Sequence, residues 1–113
     1  MEARLQSKIW IDAHIRSCFA ADMPVFIVWR GDVERGLILL KINQFEKGVT
    51  LYEQALDFDG NRVWRNLGSF EAVNERDADA LIAKKRDFDP DIWVLEIEDM
   101  KAAYEPDAPV SEF

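Results

Sequence analysis

The spacing of apolar and polar positions divides this chain into helical and extended stretches. Over residues 8–22 the spacing is helical: Ile9, Ala13, Ser17 and Ala20 share one face, and Ile11, Ile15 and Phe19 share another. So broad an apolar surface predicts a helix lying flat on a sheet, and Pro24 limits how far it runs. Short apolar runs bounded by glycine follow. They predict strands at residues 25–30 (VFIVWR), 37–43 (LILLKIN), 49–56 (VTLYEQAL) and 62–67 (RVWRNL). All five glycines fall between Gly31 and Gly68, at the edges of these runs, where turns use them best. Asp59-Gly60 is a hairpin signal between the third and fourth runs. Connections this short predict antiparallel neighbours, because a parallel crossover needs about a dozen residues or more.

A second helix is predicted at residues 75–87. Asn74 suits the N-cap, Asp77 completes a capping box, and Val73 can staple to Ala78. Ala78, Leu81 and Ile82 form its apolar stripe. Acidic residues fill its first turns, and Lys84, Lys85 and Arg86 its last, which complements the helix dipole. Asp89-Pro90 ends it. Residues 92–98 then read as a strand with Trp93, Leu95 and Ile97 on one face and Ile92 and Val94 on the other. A strand apolar on both faces is expected inside a sheet rather than at its edge. The prediction is an α+β fold: an antiparallel sheet of about five strands, in the order α-β-β-β-β-α-β, with two helices packed on it. Residues 1–103 form a single domain in this reading, and the Pro-rich, acidic residues 104–113 form a disordered tail.

The composition adds bounds to that picture. At 113 residues, 49% of them apolar, the chain has the size and hydrophobicity of one self-sufficient globular domain. No apolar run approaches the roughly 20 residues needed to span a membrane. The opening MEARLQSKIW lacks the apolar core and cleavage site of a secretory signal, and Cys18 is the only cysteine. Both point to a reducing compartment, and the expected location is the cytoplasm. Residues 1–65 balance nine Lys/Arg against nine Asp/Glu, whereas residues 66–113 set five against thirteen, so the whole net charge of −8 lies in the second part. Such a field repels nucleic acid and anionic lipid, and it also keeps a small protein soluble.

The segments ARLQSKIW (3–10), RGD (30–32), LLKIN (39–43), TLYEQ (50–54), RVW (62–64) and FDPDIWVLEIED (88–99) resemble a family of short uncharacterised alphaproteobacterial proteins, filed as a domain of unknown function. The resemblance spans nearly the whole chain apart from the tail, and FDPDIWVLEIED is its most specific piece. It implies a single cytoplasmic α+β domain and carries over no catalytic residue, ligand or cofactor.

Candidate chemistry has a plain structural reading in each case. Asp87, Asp89, Asp91 and Glu98 occupy positions of a calcium-loop frame, but Ile92 stands where the loop needs glycine. A solvated helix-to-strand turn is the simpler reading. His14 and Cys18 lie four apart on one helix face, as a nucleophile and its base would. No third group is signalled, zinc would need further ligands, and a buried thiol beside a helix-edge histidine suffices. Trp10, Trp29, Trp64 and Trp93 are many for this length. Interleaved with Arg30, Arg62 and Arg65 they could stack single-stranded nucleic acid, against which the acidity argues; core or interface anchors are the alternatives. Arg30-Gly31-Asp32 is read as a turn.

No catalytic motif is present, so the leading expectation is a non-catalytic protein-interaction module, in its simplest form a homodimer. The alternative is a small ligand-binding domain or enzyme whose polar groups meet only in the fold, with a small-molecule site near Arg30, Asp89, Asp91 and Trp93. Those four are the candidate binding residues, chosen on the specificity of the motifs in the resemblance rather than on chemistry. No metal or cofactor is expected.

Overall fold

The computed structural model describes residues 6–68 and 73–111. Helix α1 (Ser7–Ala20) leads into strand β1 (Val25–Trp29). Strands β2 (Ile38–Asn43), β3 (Val49–Leu56) and β4 (Arg62–Asn66) follow, then helix α2 (Glu75–Phe88), β5 (Trp93–Glu98) and a short β6 (Val110–Ser111). The strands form one six-stranded sheet in the order β1-β5-β2-β3-β4-β6.

The meander β2-β3-β4 is antiparallel, as its short connections require. Its second turn is built on Asp57, whose Oδ1 accepts the backbone N–H of Asp59 at 2.9 Å and of Asn61 at 2.8 Å. Gly60 takes the left-handed conformation there, at φ 82°.

The sheet is mixed, which corrects the antiparallel expectation. Strand β5 lies between β1 and β2, antiparallel to the first and parallel to the second. The parallel β6 at the far end adds a sixth strand. The cause is α2, which carries the chain from the end of β4 back over one face, so that β5 starts at the same end of the sheet as β2. The loop from β1 to β2 does reverse the chain, but it leaves a gap one strand wide that β5 fills. A strand apolar on both faces benefits most from that place: Trp93, Val94, Leu95 and Ile97 are all fully buried.

The helices cover opposite faces. On the α1 side, Trp10, Ile11 and Cys18 pack with Ile38, Leu40, Ile42, Trp64, Trp93, Leu95 and Ile97. On the α2 side, Ala78 and Ile82 pack with Leu39, Val49, Leu51, Ile92 and Val94. Asn74 caps α2 as expected, its side-chain oxygen accepting the Asp77 N–H at 2.8 Å. The buried stripe of α1 differs from the expected one. It is Ser7, Trp10, Ile11 and Cys18, while Ile9 and Phe19 stay 51% and 55% exposed. The helix is apolar nearly all round, so periodicity alone does not choose a face. The largest side chain, Trp10, is turned inward.

Residues 104–111, expected as a tail, lie against the sheet. Trp64 N–H donates to the Pro109 carbonyl at 2.9 Å, and Val110 pairs beside Trp64. The root of the segment is fixed by the fully buried Asp99. Its carboxylate accepts the backbone N–H of Ala103 at 2.8 Å and of Tyr104 at 3.0 Å. Burial alone would raise the Asp99 pKa. Those two amides and the Gln44 side chain outweigh it and hold the carboxyl below its usual range.

Candidate functional site

Strand β1 is the least covered part of the sheet. Among the described residues it pairs only with β5, which leaves its other edge with unpaired backbone groups there. Of VFIVW only Val25 is buried; Phe26, Ile27, Val28 and Trp29 are all exposed. The side chains point both ways: Ile27 lies across from Leu95 on the α1 side, and Phe26 across from Glu96 on the α2 side. A bulge at Val28 turns Trp29 to the α2 side beside Val94. There the Arg86 guanidinium lies 3.5 Å over the Trp29 ring. On α1, Trp10 and His14 turn toward Trp64 and Tyr104, on the far side of the sheet. Helical geometry then directs Phe19 toward the β1 side, so it extends the apolar surface of the edge.

The sequence-predicted site residues gather at the end of β1. The Arg30 guanidinium lies 5.9 Å from the centre of the Trp93 ring. The buried Trp93 donates its indole N–H to the Asp32 carbonyl at 2.7 Å. Asp91 is exposed; its carbonyl accepts the Asp32 N–H at 2.9 Å. The Asp89 carboxylate accepts the Asp91 N–H at 3.1 Å. These groups knit the turn after α2 to the loop after β1. Gly31 and Gly36 make the fit possible, because a Cβ on either would overlap the Asp91 carbonyl oxygen. Two cavities lie elsewhere. One of about 260 Å³ is lined by Ala21, Met23, Pro24, Glu98 and Met100. The other, of about 490 Å³, is lined by Gln6, Glu34, Arg35 and Gln54.

The other candidates resolve individually. Cys18 is buried and its thiol is pushed up to about 11 by burial and by the Asp99 carboxylate, so it holds its proton. His14 Nε2 shares a 2.8 Å hydrogen bond with the Tyr104 hydroxyl, and its ring stacks on Trp10 at 4.4 Å. Burial lowers the His14 pKa; the Asp107 carboxylate opposes that and Arg62 adds to it. The calcium frame is pulled apart, since β5 carries Glu98 roughly 16 Å from its own start. Among the described residues no group of three or more His, Cys, Asp or Glu is placed to hold a metal ion. Trp10, Trp64 and Trp93 are core residues, at 7%, 0% and 0% exposure, leaving Trp29 as the exposed ring.

Two polar clusters were not visible in the sequence. Lys41, in the middle of β2, is 4% exposed. Its ammonium meets Asp79 Oδ1 at 2.9 Å, Glu75 Oε1 at 3.0 Å and Glu96 Oε1 at 3.2 Å. Burial alone would lower the Lys41 pKa; the hydrogen bonds to Asp79, Glu75 and Glu96 outweigh it and raise it. That ammonium latches α2 to the sheet and is no nucleophile. The second cluster centres on Asp107. One carboxylate accepts from Trp10 Nε1 at 2.9 Å, Trp64 Nε1 at 2.8 Å and Arg62 Nη2 at 2.7 Å. The bracketing of Asp107 by Pro106 and Pro109 is the one sequence signal that the segment is extended.

The profile of a family described as "Protein of unknown function (DUF1491)" matches residues 5–104. Solved structures agree. A crystal structure of a DUF1491 family protein from Caulobacter crescentus CB15 is 31% identical, with a TM-score of 0.85 over 96% of this chain and 100% of that one. An NMR structure of a DUF1491 family protein from the same organism gives 31% identity and a TM-score of 0.82, over 97% and 99% of the two chains. A solution structure of a protein from A. tumefaciens gives 25% identity and a TM-score of 0.75, over 94% and 100%. No curated protein matches the chain.

Proposed function

The chain belongs to the DUF1491 family, whose function is unassigned, and on that premise we propose that it is a non-catalytic interaction module that pairs with a second copy along β1. The observation that carries the reading is β1 itself: an edge strand of five apolar residues, four of them exposed, with no charge inside it. Natural edges of that kind are covered or guarded by charge. The opposite edge of the sheet is guarded: β4 is capped by the short β6.

A second copy suits the strand better than an unrelated partner. Antiparallel pairing about a two-fold axis centred on Ile27 sets Phe26 beside Val28 of the other copy, apolar on apolar. The same operation carries Arg30 of one copy to the start of β1 in the other, where Asp22 and Glu98 stand. Glu98 N–H donates to the Pro24 carbonyl at 2.9 Å, which fixes that carboxylate's backbone at the strand's start. Arg30 forms no ion pair among the described residues, so it is free to complete this one. Parallel pairing would put like charges together. A stable dimer buries about a tenth of a small protein's surface per copy; the total here is 7479 Å², and the exposed side chains of β1 with Phe19 supply the apolar centre of such a contact.

Arg30 is a binding residue in this reading, while Asp89, Asp91 and Trp93 fix the corner from which it reaches. A small-molecule site there has less support, because the carboxylate of Asp89, the carbonyl of Asp91 and the indole N–H of Trp93 already bond within the turn. A nucleic-acid platform has less again, with three of the four tryptophan rings in the core. A reducing cytoplasm suits a module whose one cysteine remains a thiol. Light scattering on the eluting protein tests the reading. The dimer mass is expected for the wild type and the monomer mass for Ile27→Lys, which seats a charge in the centre of the pairing. A wild-type monomer at every concentration would overturn it.

A further inference from the structure

The Asp107 cluster has the form of a receptor and its ligand within one chain. The donors stand on regular elements: Trp10 on α1, and Arg62 and Trp64 on β4. Arg62 also lies 5.5 Å over the Trp10 ring and 5.9 Å over that of Trp64, so the guanidinium is held against both indoles. Two buried indole N–H groups and one guanidinium converge on a single point, and a neutral amide offers too few acceptor sites for all three. The arrangement calls for a carboxylate. Burial would raise the Asp107 pKa, but the two indoles and Arg62 hold it below its usual range, so it stays charged.

The acceptor, by contrast, stands on the least regular part of the fold. Residues 104–111 pair with the sheet through one backbone bond to Trp64 and the two residues of β6; Tyr104, Ala108 and Val110 pack partly buried on the core and the Tyr104 hydroxyl bonds His14, while Glu105, Asp107 and Pro109 are exposed. Short pairing and exposed backbone mark segments that open on their own. Adding a strand to a sheet edge, with one side chain read in a pocket, is a general mode of peptide recognition.

We propose that the groove between α1 and the outer edge of β4 is a carboxylate-reading peptide site, and that residues 104–111 fill it as an intramolecular ligand that an extended acidic segment of another protein displaces. The incoming segment carries an aspartate followed by a small residue and a proline, as Asp107-Ala108-Pro109 does here. Trp10, Trp64 and Arg62 hold its carboxylate, and its backbone pairs with β4. The site lies at the opposite end of the sheet from β1, so it stands or falls independently of the dimer.

The test uses the full chain, as wild type and as Asp107→Asn, with a synthetic peptide of residues 104–111 and the same peptide carrying asparagine at the aspartate. The indole N–H resonances of Trp10 and Trp64 report binding. In Asp107→Asn the aspartate peptide is expected to shift both resonances to saturation, with the asparagine peptide at least about 10-fold weaker. The wild type, whose own carboxylate competes at high effective concentration, is expected to bind the peptide at least about 10-fold more weakly than the variant. A folded variant that ignores the peptide at millimolar concentration would overturn the proposal, as would equal binding of both peptides or equal binding by both proteins. Should Asp107→Asn not fold, hydrogen exchange in the wild type decides. The two indole N–H groups are expected to exchange at least about 10-fold faster than the amides of Val94 and Leu95. Equal rates would mean the segment leaves only on global unfolding, and the site would be purely structural.

Discussion

Lys41→Met is the perturbation whose size the structure defines best. The variant keeps the length and apolar stem of the side chain and deletes an ammonium that is almost wholly buried and ringed by Glu75, Asp79 and Glu96 at 2.9–3.2 Å. Removing one member of a fully buried ion pair costs about 3–5 kcal/mol, because the charge left behind is neither paired nor hydrated. Here part of that cost is relieved. The side chains of Glu75 and Asp79 are each 58% exposed and rehydrate, whereas Glu96, at 21%, remains mostly enclosed. Discounting for the two exposed partners leaves about 2 kcal/mol. With a urea slope near 2 kcal/mol/M for a domain of this size, the midpoint is expected to fall by about 1 M at pH 7. Glu75→Gln and Asp79→Asn are expected to cost about 0.5 kcal/mol or less each. Lys41→Met with Glu96→Gln is expected to recover at least half of the single-variant loss, since it removes the stranded charge. Urea unfolding followed by circular dichroism measures all four. A Lys41→Met protein as stable as the wild type would refute the reasoning, as would a double variant no better than the single.

Gly36→Ala is expected to cost about 3 kcal/mol or to prevent folding, because the added methyl meets the Asp91 carbonyl, the Asp32 carbonyl and the Trp93 ring at once; thermal melting checks it. The pKa of His14 is lowered in the fold, so the unfolded chain binds the proton more readily. Its contribution to stability is therefore complete above the unfolded value of about 6.5 and is lost as pH falls from there toward the folded value. His14→Gln is expected to flatten stability against pH below about 6.5, and an unchanged slope in urea titrations at three pH values would contradict it. Asp107 is depressed instead, so its contribution holds above the usual aspartate value and fades as pH falls below about 4. Asp107→Asn is expected to remove part of the acid sensitivity there, measured by unfolding at pH 5, 4 and 3.

What was legible in the sequence was local. The β2-β3-β4 meander followed from glycines and short loops, and α2 from Asn74 and its charge gradient, because each is specified by residues a few positions apart. The apolar character of residues 92–98 announced an interior strand correctly, but which two strands it would part was a long-range matter. The apolar circumference of α1 concealed its buried face, on which the largest side chain, Trp10, lies with Ile11 and Cys18. The buried place of Lys41 was not legible, since nothing in LILLKIN signals three carboxylates from two other elements. Residues 104–111 carried the composition of a tail. Their order rests on Asp99 at the root, on the pairing of β6 with β4, and on the Asp107 carboxylate finding three donors that lie 43 to 97 positions away in the sequence. Asp89, Asp91 and Trp93 join the turn after α2 to the loop after β1, a contact that the close approach at Gly31 and Gly36 permits and that no local pattern announces. The surface that matters most in this account, β1, was read as a strand. Its place at the open edge could not be seen before β5 was inserted beside it.

The central claim is that β1 pairs with β1 of a second copy, and native mass spectrometry of the purified chain tests it most directly, with Ile27→Lys and Arg30→Glu alongside. The expected result is a wild-type dimer, a monomeric Ile27→Lys and a weakened Arg30→Glu. Asp22→Arg combined with Arg30→Glu should restore the dimer by exchanging the charges at both ends of the pairing. A monomeric wild type, or a dimer that survives Ile27→Lys undiminished, would contradict the account.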